Sequence, residues 1–293
     1  MYDDICFPTD GSDGATAALD HALDIAAAVD ATLHLLNVAD TSRDSVTRIG
    51  GEVVDALETE GERIVDAAAE RASERGVSTT TAVLQGDPYR TIVDYADEYG
   101  IDLLVMPTHG REGLERFLLG SVTERVVRRA NVPVLTVRPD ESLTYPYGNV
   151  LVPTDGSDCA DAALGVGIDA AVTSDAGLHI LSVVDTASLG VDVRAQMQID
   201  ALESTATETV ENAEARATDA GLEDVTGVVE FSSSIRAAIV EYVEDNDVDL
   251  VVVGTHGRTG VDRYLLGSVA EQLIRTSPVP VLTVRAPPET DGE

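Results

Sequence analysis

An internal repeat is the feature of this 293-residue sequence that most constrains its fold. Residues 2–41 match residues 147–186 at 21 of 40 positions, and residues 101–138 match residues 248–285 at 23 of 38. A repeat of this length predicts two similar domains. The domain limits that we predict are 1–138 for domain one, 139–146 for a short linker, 147–286 for domain two and 287–293 for a tail.

Each domain alternates short apolar runs with segments of helical periodicity. In domain one we predict strands over 5–7, 33–38, 78–84, 102–106 and 132–137, and helices over 13–29, 46–75, 88–99 and 122–129. In domain two we predict strands over 148–153, 177–184, 225–231, 249–254 and 279–284, and helices over 158–174, 191–220, 235–246 and 269–276. Strands that alternate with helices form right-handed βαβ units. We therefore predict two α/β domains, each with a doubly wound, five-stranded parallel sheet that binds ligands beyond its carboxyl edge.

The charge balance excludes several functions. The chain carries 53 acidic residues against 19 basic ones, a net charge of −34, and all the basic residues are arginine. Without lysine there is neither a Walker A nor a Schiff-base lysine, and the negative charge argues against nucleic acid or anionic membranes as partners. The acidic residues are spread over both halves, which resembles proteins of salt-loving microbes. With no signal peptide and no membrane-spanning run, we expect a cytoplasmic protein.

Cysteine and histidine indicate no metal centre. The two cysteines, Cys6 and Cys159, are too few for a disulfide framework, and Cys6 is expected to be a buried strand residue. His34 and His179 fall on predicted strands, where packing roles are expected. His109 and His256 fall in glycine-containing loops, where contact with a phosphate and a purely structural role both stay open.

The first candidate binding motif follows the first strand of each domain. It is Pro8-Thr9-Asp10-Gly11-Ser12-Asp13 in domain one and Pro153-Thr154-Asp155-Gly156-Ser157-Asp158 in domain two. A carboxylate at this edge could accept hydrogen bonds from ribose hydroxyls. The same residues also favour a turn followed by a helix cap, and the sequence leaves these two interpretations open.

The second candidate motif follows the fourth strand of domain two, where Gly254, Gly257 and Gly267-Ser268 are spaced as Gly-x2-Gly-x9-Gly-Ser. Glycines allow backbone N–H groups to approach a phosphate closely. The helix that begins here offers its free N–H groups and positive dipole end to an anion. Ser268 and Glu271 have the spacing of a capping box, which would make Ser268 the N-cap. The motif favours phosphate binding over a plain glycine-rich connection.

Together the two motifs resemble those of the universal stress protein family, once per half of the chain. The resemblance implies an adenine nucleotide alpha hydrolase-like fold with strand order 3-2-1-4-5. Many members bind ATP and others do not. Carried over to domain two, Asp155 would hold the ribose, Val183 would contact adenine, and backbone N–H groups with the Ser268 hydroxyl would hold phosphates bridged by Mg²⁺ or Mn²⁺. The implied nucleotide-binding residues of domain two are Pro153, Thr154, Asp155, Val183, Gly254, Gly257, Arg258, Gly267, Ser268 and Val269.

Domain one departs from this pattern because Pro107 stands where domain two has Gly254. Proline removes one N–H and places a ring where we expect the backbone to approach the ligand. Domain two departs after its third strand, where Ser233-Ser234-Ile235 replaces Gly86-Asp87-Pro88. The matching residues of domain one form a doubtful second site: Pro8, Thr9, Asp10, Val38, Gly110, Gly120, Ser121 and Val122.

Four arginines fall in the loops that would cover a triphosphate. These arginines are Arg111, Arg116, Arg258 and Arg263. They could supply local positive charge or pair with neighbouring carboxylates, and the sequence leaves both roles open. The leading hypothesis is an ATP-binding regulatory module of the stress response, with no assigned catalytic residue. Slow ATP hydrolysis and a nucleotide-independent interaction protein are the alternatives. The family's edge-strand dimer contact suggests that 132–137 and 279–284 pair within one chain or between two chains.

Overall fold

The computed structural model describes residues 2–41, 51–108, 119–138, 143–187, 193–257 and 266–286. The chain divides into two compact units, which we call unit one (Met1–Tyr145) and unit two (Pro146–Glu293). The exact domain limits, the linker and the pairing of the last strands stay predictions. Residues 139–142 of that linker and the tail at 287–293 lie outside the described residues.

Unit one is a parallel sheet whose strands are connected by helices. The strand order is β3-β2-β1-β4-β5, which confirms the predicted order. Its elements are β1 (Asp4–Pro8), α1 (Asp13–Val29), β2 (Thr32–Asp40), α2 (Gly51–Glu74), β3 (Thr79–Gly86), α3 (Pro88–Glu98), β4 (Leu103–Pro107), α4 (Ser121–Arg129) and β5 (Val134–Val137).

Unit two repeats this topology. Its parallel strands follow the order β8-β7-β6-β9-β10, which is again 3-2-1-4-5 when the strands are counted within the unit. Its elements are β6 (Asn149–Pro153), α5 (Asp158–Ser174), β7 (Gly177–Asp185), α6 (Val193–Asp219), β8 (Val225–Ser232), α7 (Ile235–Asp245), β9 (Leu250–Gly254), α8 (Ser268–Thr276) and β10 (Val281–Val284).

The central strands are buried on both faces. Their continuous apolar runs predict this, because helices cover both faces of a doubly wound sheet. In β1 the side chains of Ile5, Cys6 and Phe7 are fully buried, and the same is true of Val150, Leu151 and Val152 in β6. Burial raises the pKa of the Cys6 thiol far above its usual range, which keeps it protonated. Cys6 is therefore a packing residue, as the sequence predicts.

The strand histidines are packing residues with polar partners. His34 is buried, and its two ring nitrogens lie 2.9 Å from the Tyr95 hydroxyl and 2.9 Å from Asp4 Oδ1. His179 lies 2.9 Å from the Tyr242 hydroxyl, and burial lowers its pKa. Both histidines lie near the amino ends of their strands, so they are remote from the carboxyl edge where the candidate motifs lie.

Several element boundaries differ from the sequence-based prediction. Helices α4 and α8 begin at Ser121 and Ser268, one residue earlier than predicted. The last strands begin after Pro133 and Pro280, because proline has no N–H to donate to the sheet. The first residues of two predicted helices, 46–50 and 191–192, lie outside the described residues. In the described part of the chain, no helix is long and apolar enough to span a membrane.

Candidate functional site

The carboxyl edge of each sheet brings the candidate motifs together. The strand order reverses between β6 and β9 in unit two and between β1 and β4 in unit one. At such a reversal the connections leave on opposite faces of the sheet, which opens a crevice where ligands bind. The loops after these strands carry Asp155 and Gly257 in unit two, and Asp10 in unit one.

The loop after β6 is fixed by its own hydrogen bonds. The Thr154 N–H donates to the Leu181 carbonyl at 2.8 Å, and the Ser157 N–H donates to Asp155 Oδ1 at 3.0 Å. The Gly156 N–H donates to Thr154 Oγ1 at 3.2 Å, and its φ of 72° is one that glycine adopts freely. Ser157 then caps α5 through its side chain, which accepts from the Ala160 N–H at 3.3 Å. The motif therefore does form the capped turn, which holds the exposed Asp155 at the crevice.

The second motif meets the first through a close contact. A Cβ placed on Gly257 would lie 2.7 Å from Asp155 Oδ2. Real Cβ atoms essentially never come this close to another atom, so a side chain at position 257 would require the carboxylate or the loop to shift. The structure thus joins two motifs that lie about a hundred residues apart in sequence.

Gly254 makes a different contact, which sequence reasoning missed. A Cβ at this position would lie 2.7 Å from the backbone carbonyl carbon and oxygen of Cys159 and 2.9 Å from its Cβ. Gly254 therefore allows the end of β9 to pack against the first turn of α5. A residue-by-residue comparison of the two halves could have indicated this contact, because both residues differ between the repeats.

The amino end of α8 has a glycine as its N-cap. Gly267 is the N-cap, with extended dihedrals of −61° and 145°, and no side chain caps the helix. The predicted capping box with Ser268 as N-cap is wrong, because Ser268 is already the first helical residue. The first N–H groups of a helix have no acceptor within it, and in α8 the exposed Ser268 lies in this first turn.

Two further predicted residues lie near this edge. Val183 is half-buried near the end of β7, in register with Glu230 on β8. Burial, together with the carboxylates of Glu241 and Asp245, raises the pKa of Glu230. His256 is half-buried, and its Nδ1 lies 3.0 Å from Thr255 Oγ1; both of its roles stay predictions.

Unit one reproduces the same framework. The Ser12 N–H donates to Asp10 Oδ1 at 3.0 Å, and the Gly11 N–H donates to Thr9 Oγ1 at 3.2 Å. Gly120 is the uncapped N-cap of α4, and its N–H donates to the Thr108 carbonyl at 2.8 Å. Pro8 is buried, and the remaining predicted residues border the same edge: Val38, Ser121 and Val122.

Several predicted residues lie outside the described residues, so their geometry stays a prediction. They are Gly110, Arg258, His109, Arg111, Arg116 and Arg263. Among the residues that the structure describes, no group of three or more His, Cys, Asp or Glu side chains could hold a metal ion.

The fold and the motifs define a class: a tandem α/β protein in which each doubly wound sheet carries glycine-containing loops at its switch point. Comparison with known proteins gives the family. The sequence profile of the Universal stress protein family matches residues 1–138 and again 146–285. The chain belongs to this family, in a tandem two-domain form.

Individual relatives agree with this assignment. The chain is 32% identical over 239 residues to universal stress protein Rv2005c of Mycobacterium tuberculosis, covering 78% of each chain. It is 40% identical over 141 residues to universal stress protein MJ0531 of Methanocaldococcus jannaschii, covering 47% of this chain and 83% of that protein. A crystal structure of a universal stress protein from Archaeoglobus fulgidus has the same fold, with a TM-score of 0.77 and 23% identity over 98% of this chain and 100% of that one.

Proposed function

We propose that unit two binds ATP and acts as a regulatory module of the stress response. The observation that carries the proposal is the contact between Gly257 and Asp155, where a Cβ would come within 2.7 Å of the carboxylate oxygen. This contact supports the proposal, because it brings the carboxylate that would bind the ribose beside a loop whose backbone could reach phosphates.

The uncapped helix α8 supports a phosphate subsite next to this carboxylate. Helices α5 and α7 use Ser157 and Ser234 to cap their first turns, whereas α8 begins at Gly267 and has no side-chain cap. An anion can therefore accept from the N–H groups of α8 and interact with its dipole. With no lysine in the chain, these N–H groups, the Ser268 hydroxyl, Arg258 and a bridging Mg²⁺ or Mn²⁺ would hold the triphosphate.

The remaining site assignments belong to the same proposal. Val183 would contact the adenine, and the turn of Pro153 and Thr154 would orient Asp155. The protein would act in the cytoplasm of a salt-loving organism, where about 1 M salt reduces the Debye length to about 3 Å. Such screening would weaken the repulsion between ATP and a chain of net charge −34. Pairing of the segments 132–137 and 279–284, within or between chains, would give a dimer-like assembly.

Equilibrium dialysis of the full chain against ATP, in about 1 M KCl with Mg²⁺, tests this function. We expect saturable binding that Asp155→Ala weakens by at least about tenfold, or about 1.4 kcal/mol. Glu203→Ala is the control, because this exposed residue of α6 removes the same charge elsewhere in unit two. Equal affinity of the two variants, or no binding to the native chain with either Mg²⁺ or Mn²⁺, would contradict the proposal.

Hydrolysis of ATP is the alternative function. Analysis of the nucleotide that is recovered after the same dialysis tests it. Phosphoryl transfer to water needs a group that positions the attacking water and a cation that stabilises the transition state. Arg258 could supply the charge, but no described residue has been assigned as the base. We therefore expect bound ATP to be recovered intact; release of phosphate that Asp155→Ala abolishes would favour the ATPase alternative.

A further inference from the structure

Three polar side chains of unit one form a hydrogen-bonded chain at the amino edge of the sheet. The Nδ1 of His34 lies 2.9 Å from the Tyr95 hydroxyl, and its Nε2 lies 2.9 Å from Asp4 Oδ1. An ionised carboxylate can only accept, so Nε2 donates to Asp4. In the neutral imidazole Nδ1 is then the acceptor, and the Tyr95 hydroxyl donates to it. The phenol proton of Tyr95 therefore points at a basic nitrogen, and Asp4 can balance the charge of the protonated ring.

Tyr95 is sealed from solvent. Its exposed fraction is 3%, and burial raises the pKa of its hydroxyl to about 12. Loss of the proton to water is therefore unfavourable, and His34 is the base that the hydroxyl contacts. A phenol that has lost one electron is a far stronger acid than the parent phenol. Removal of an electron from Tyr95 would therefore drive its proton onto His34.

Tyr99 links this buried phenol to solvent. Its ring stacks on that of Tyr95, with centroids 4.3 Å apart and an angle of 26° between the planes, and 51% of Tyr99 is exposed. Rings in contact exchange electrons readily, so an oxidant that cannot touch Tyr95 can withdraw an electron through Tyr99. The chain has no tryptophan, which leaves tyrosine as its most easily oxidised aromatic side chain.

Unit two keeps the middle of this arrangement. The Nδ1 of His179 lies 2.9 Å from the Tyr242 hydroxyl, and Tyr242 is buried. Burial raises the pKa of Tyr242 as well. This pair is the matched control for unit one, because it has the same hydrogen bond around a buried phenol.

The two ends of the chain of contacts differ between the units. Asn149 begins β6 where Asp4 begins β1, and its amide donates to the Asp247 carbonyl at 3.2 Å. Asn246 is the C-cap of α7, whereas Tyr99 is the C-cap of α3. Unit one therefore has a carboxylate beside the histidine and an exposed ring beside the tyrosine, and unit two has an amide at each place.

From this arrangement we propose that Tyr95 and Tyr99 form a redox-active pair, with His34 as the proton acceptor. A one-electron oxidant in solution, such as a peroxyl radical, takes an electron from Tyr99, and Tyr95 replaces this electron across the stack. The Tyr95 proton passes to His34 Nδ1, which leaves a neutral tyrosyl radical beside an imidazolium. The peroxyl radical, with the electron and a proton from water, becomes a hydroperoxide. A one-electron reductant in solution, such as ascorbate, returns an electron to Tyr95, and the proton returns from His34.

This activity is independent of the proposed nucleotide site. The pair lies at the amino edge of the sheet, whereas the candidate motifs lie at its carboxyl edge. Failure of either proposal therefore leaves the other intact. The net reaction is the reduction of radicals by electrons from solution, with Tyr99 as the point of entry.

Freeze-quenched electron paramagnetic resonance of the full chain locates the radical. The chain is mixed with hexachloroiridate(IV), a one-electron oxidant, in about 1 M KCl to screen the negative charge. We expect a tyrosyl radical in the native chain and in Tyr242→Phe, and loss of most of that signal in Tyr95→Phe. Equal signals in Tyr95→Phe and Tyr242→Phe would overturn the proposal.

The rate at which the chain reduces hexachloroiridate(IV) tests the proton acceptor. His34→Gln keeps a hydrogen-bond acceptor but removes the base, so it should slow this rate by at least about tenfold. The native rate should also fall in D₂O, because the electron and the proton leave Tyr95 together, and this isotope effect should decrease in His34→Gln. His179→Gln is the control, and it should keep the rate and the isotope effect of the native chain.

Tyr99→Asn tests the route to solvent. This variant introduces the unit-two residue at an exposed position, so it keeps the proposal testable even if His34→Gln fails to fold. Its rate of hexachloroiridate(IV) reduction should fall to near that of Tyr95→Phe. A native rate in Tyr99→Asn, or a native rate and isotope effect in folded His34→Gln, would overturn the proposal.

Discussion

Gly257 lies against the carboxylate of Asp155 so closely that a Cβ on the glycine would come within 2.7 Å of Asp155 Oδ2. Gly257→Ala should therefore displace the loop or the carboxylate and weaken ATP binding by at least about tenfold. Because both groups border solvent, the free energy of unfolding should change by less than about 0.5 kcal/mol. Isothermal titration with ATP and urea unfolding measure the two effects. Native affinity in Gly257→Ala would show that this contact does not shape the site.

Gly254→Ala should also affect stability, because the contact of Gly254 is with backbone. A Cβ there would lie 2.7 Å from the Cys159 carbonyl group, which cannot rotate out of the way as a side chain can. Gly254→Ala should reduce the free energy of unfolding by about 1–3 kcal/mol, in addition to weakening ATP binding.

Gly165→Ala is the control for both glycine variants. Gly165 lies within α5, and a Cβ there would have nothing within 4 Å. Alanine at this helical position should raise the free energy of unfolding by about 0.5–1 kcal/mol and leave ATP binding unchanged. If Gly254→Ala is as stable as Gly165→Ala, the close approach of β9 to α5 is contradicted.

The two serines at the crevice should have separable roles. Ser157 caps α5 through its hydroxyl, so Ser157→Ala should cost about 1 kcal/mol of stability, as N-cap losses typically do. Ser268 is the first residue of α8 and not its cap, so Ser268→Ala should change stability by less than about 0.5 kcal/mol while it weakens ATP binding. Urea unfolding of both variants distinguishes these roles. If Ser268→Ala lost as much free energy of unfolding as Ser157→Ala, Ser268 would act as a helix cap after all.

His21 should make unit one sensitive to acid. Burial lowers its pKa from 6.5 to about 4. Between these values the unfolded chain binds a proton on His21 and the folded chain does not. The folded state therefore loses stability as the pH falls through this window, by up to about 3 kcal/mol.

His21→Val isolates this contribution, because unit two carries Val166 at the corresponding position. Urea unfolding between pH 7 and pH 4.5 should show a smaller loss of stability in the variant than in the native chain. Parallel pH profiles of the two proteins would mean that burial does not lower the pKa of His21, because the folded and unfolded chains would then bind its proton equally.

The sequence predicted the fold because the repeat and the apolar runs are strong local signals. The buried runs at Ile5–Phe7 and Val150–Val152 and the caps at Ser12 and Ser157 lie where the pattern places them. The Ser268 cap was predicted wrongly because Ser, Gly and Glu at this spacing fit two helix starts one residue apart. Only the backbone dihedrals of Gly267 distinguish the two starts.

The contacts between distant segments could not be read from local pattern. The spacing of the glycines predicts that the backbone at Gly254 approaches a phosphate. In the structure, a Cβ at position 254 would point toward Cys159. Such information depends on how the fourth strand packs against the first helix.

The measurement that tests the central claim most directly is amide hydrogen exchange of the full chain with and without ATP and Mg²⁺, in about 1 M KCl. If backbone N–H groups of unit two hold the phosphates, ATP should slow exchange at Gly257 and at Gly267–Val269, and Asp155→Ala should abolish this protection at the same ATP concentration. Unchanged exchange of these amides at an ATP concentration that saturates binding would contradict the account.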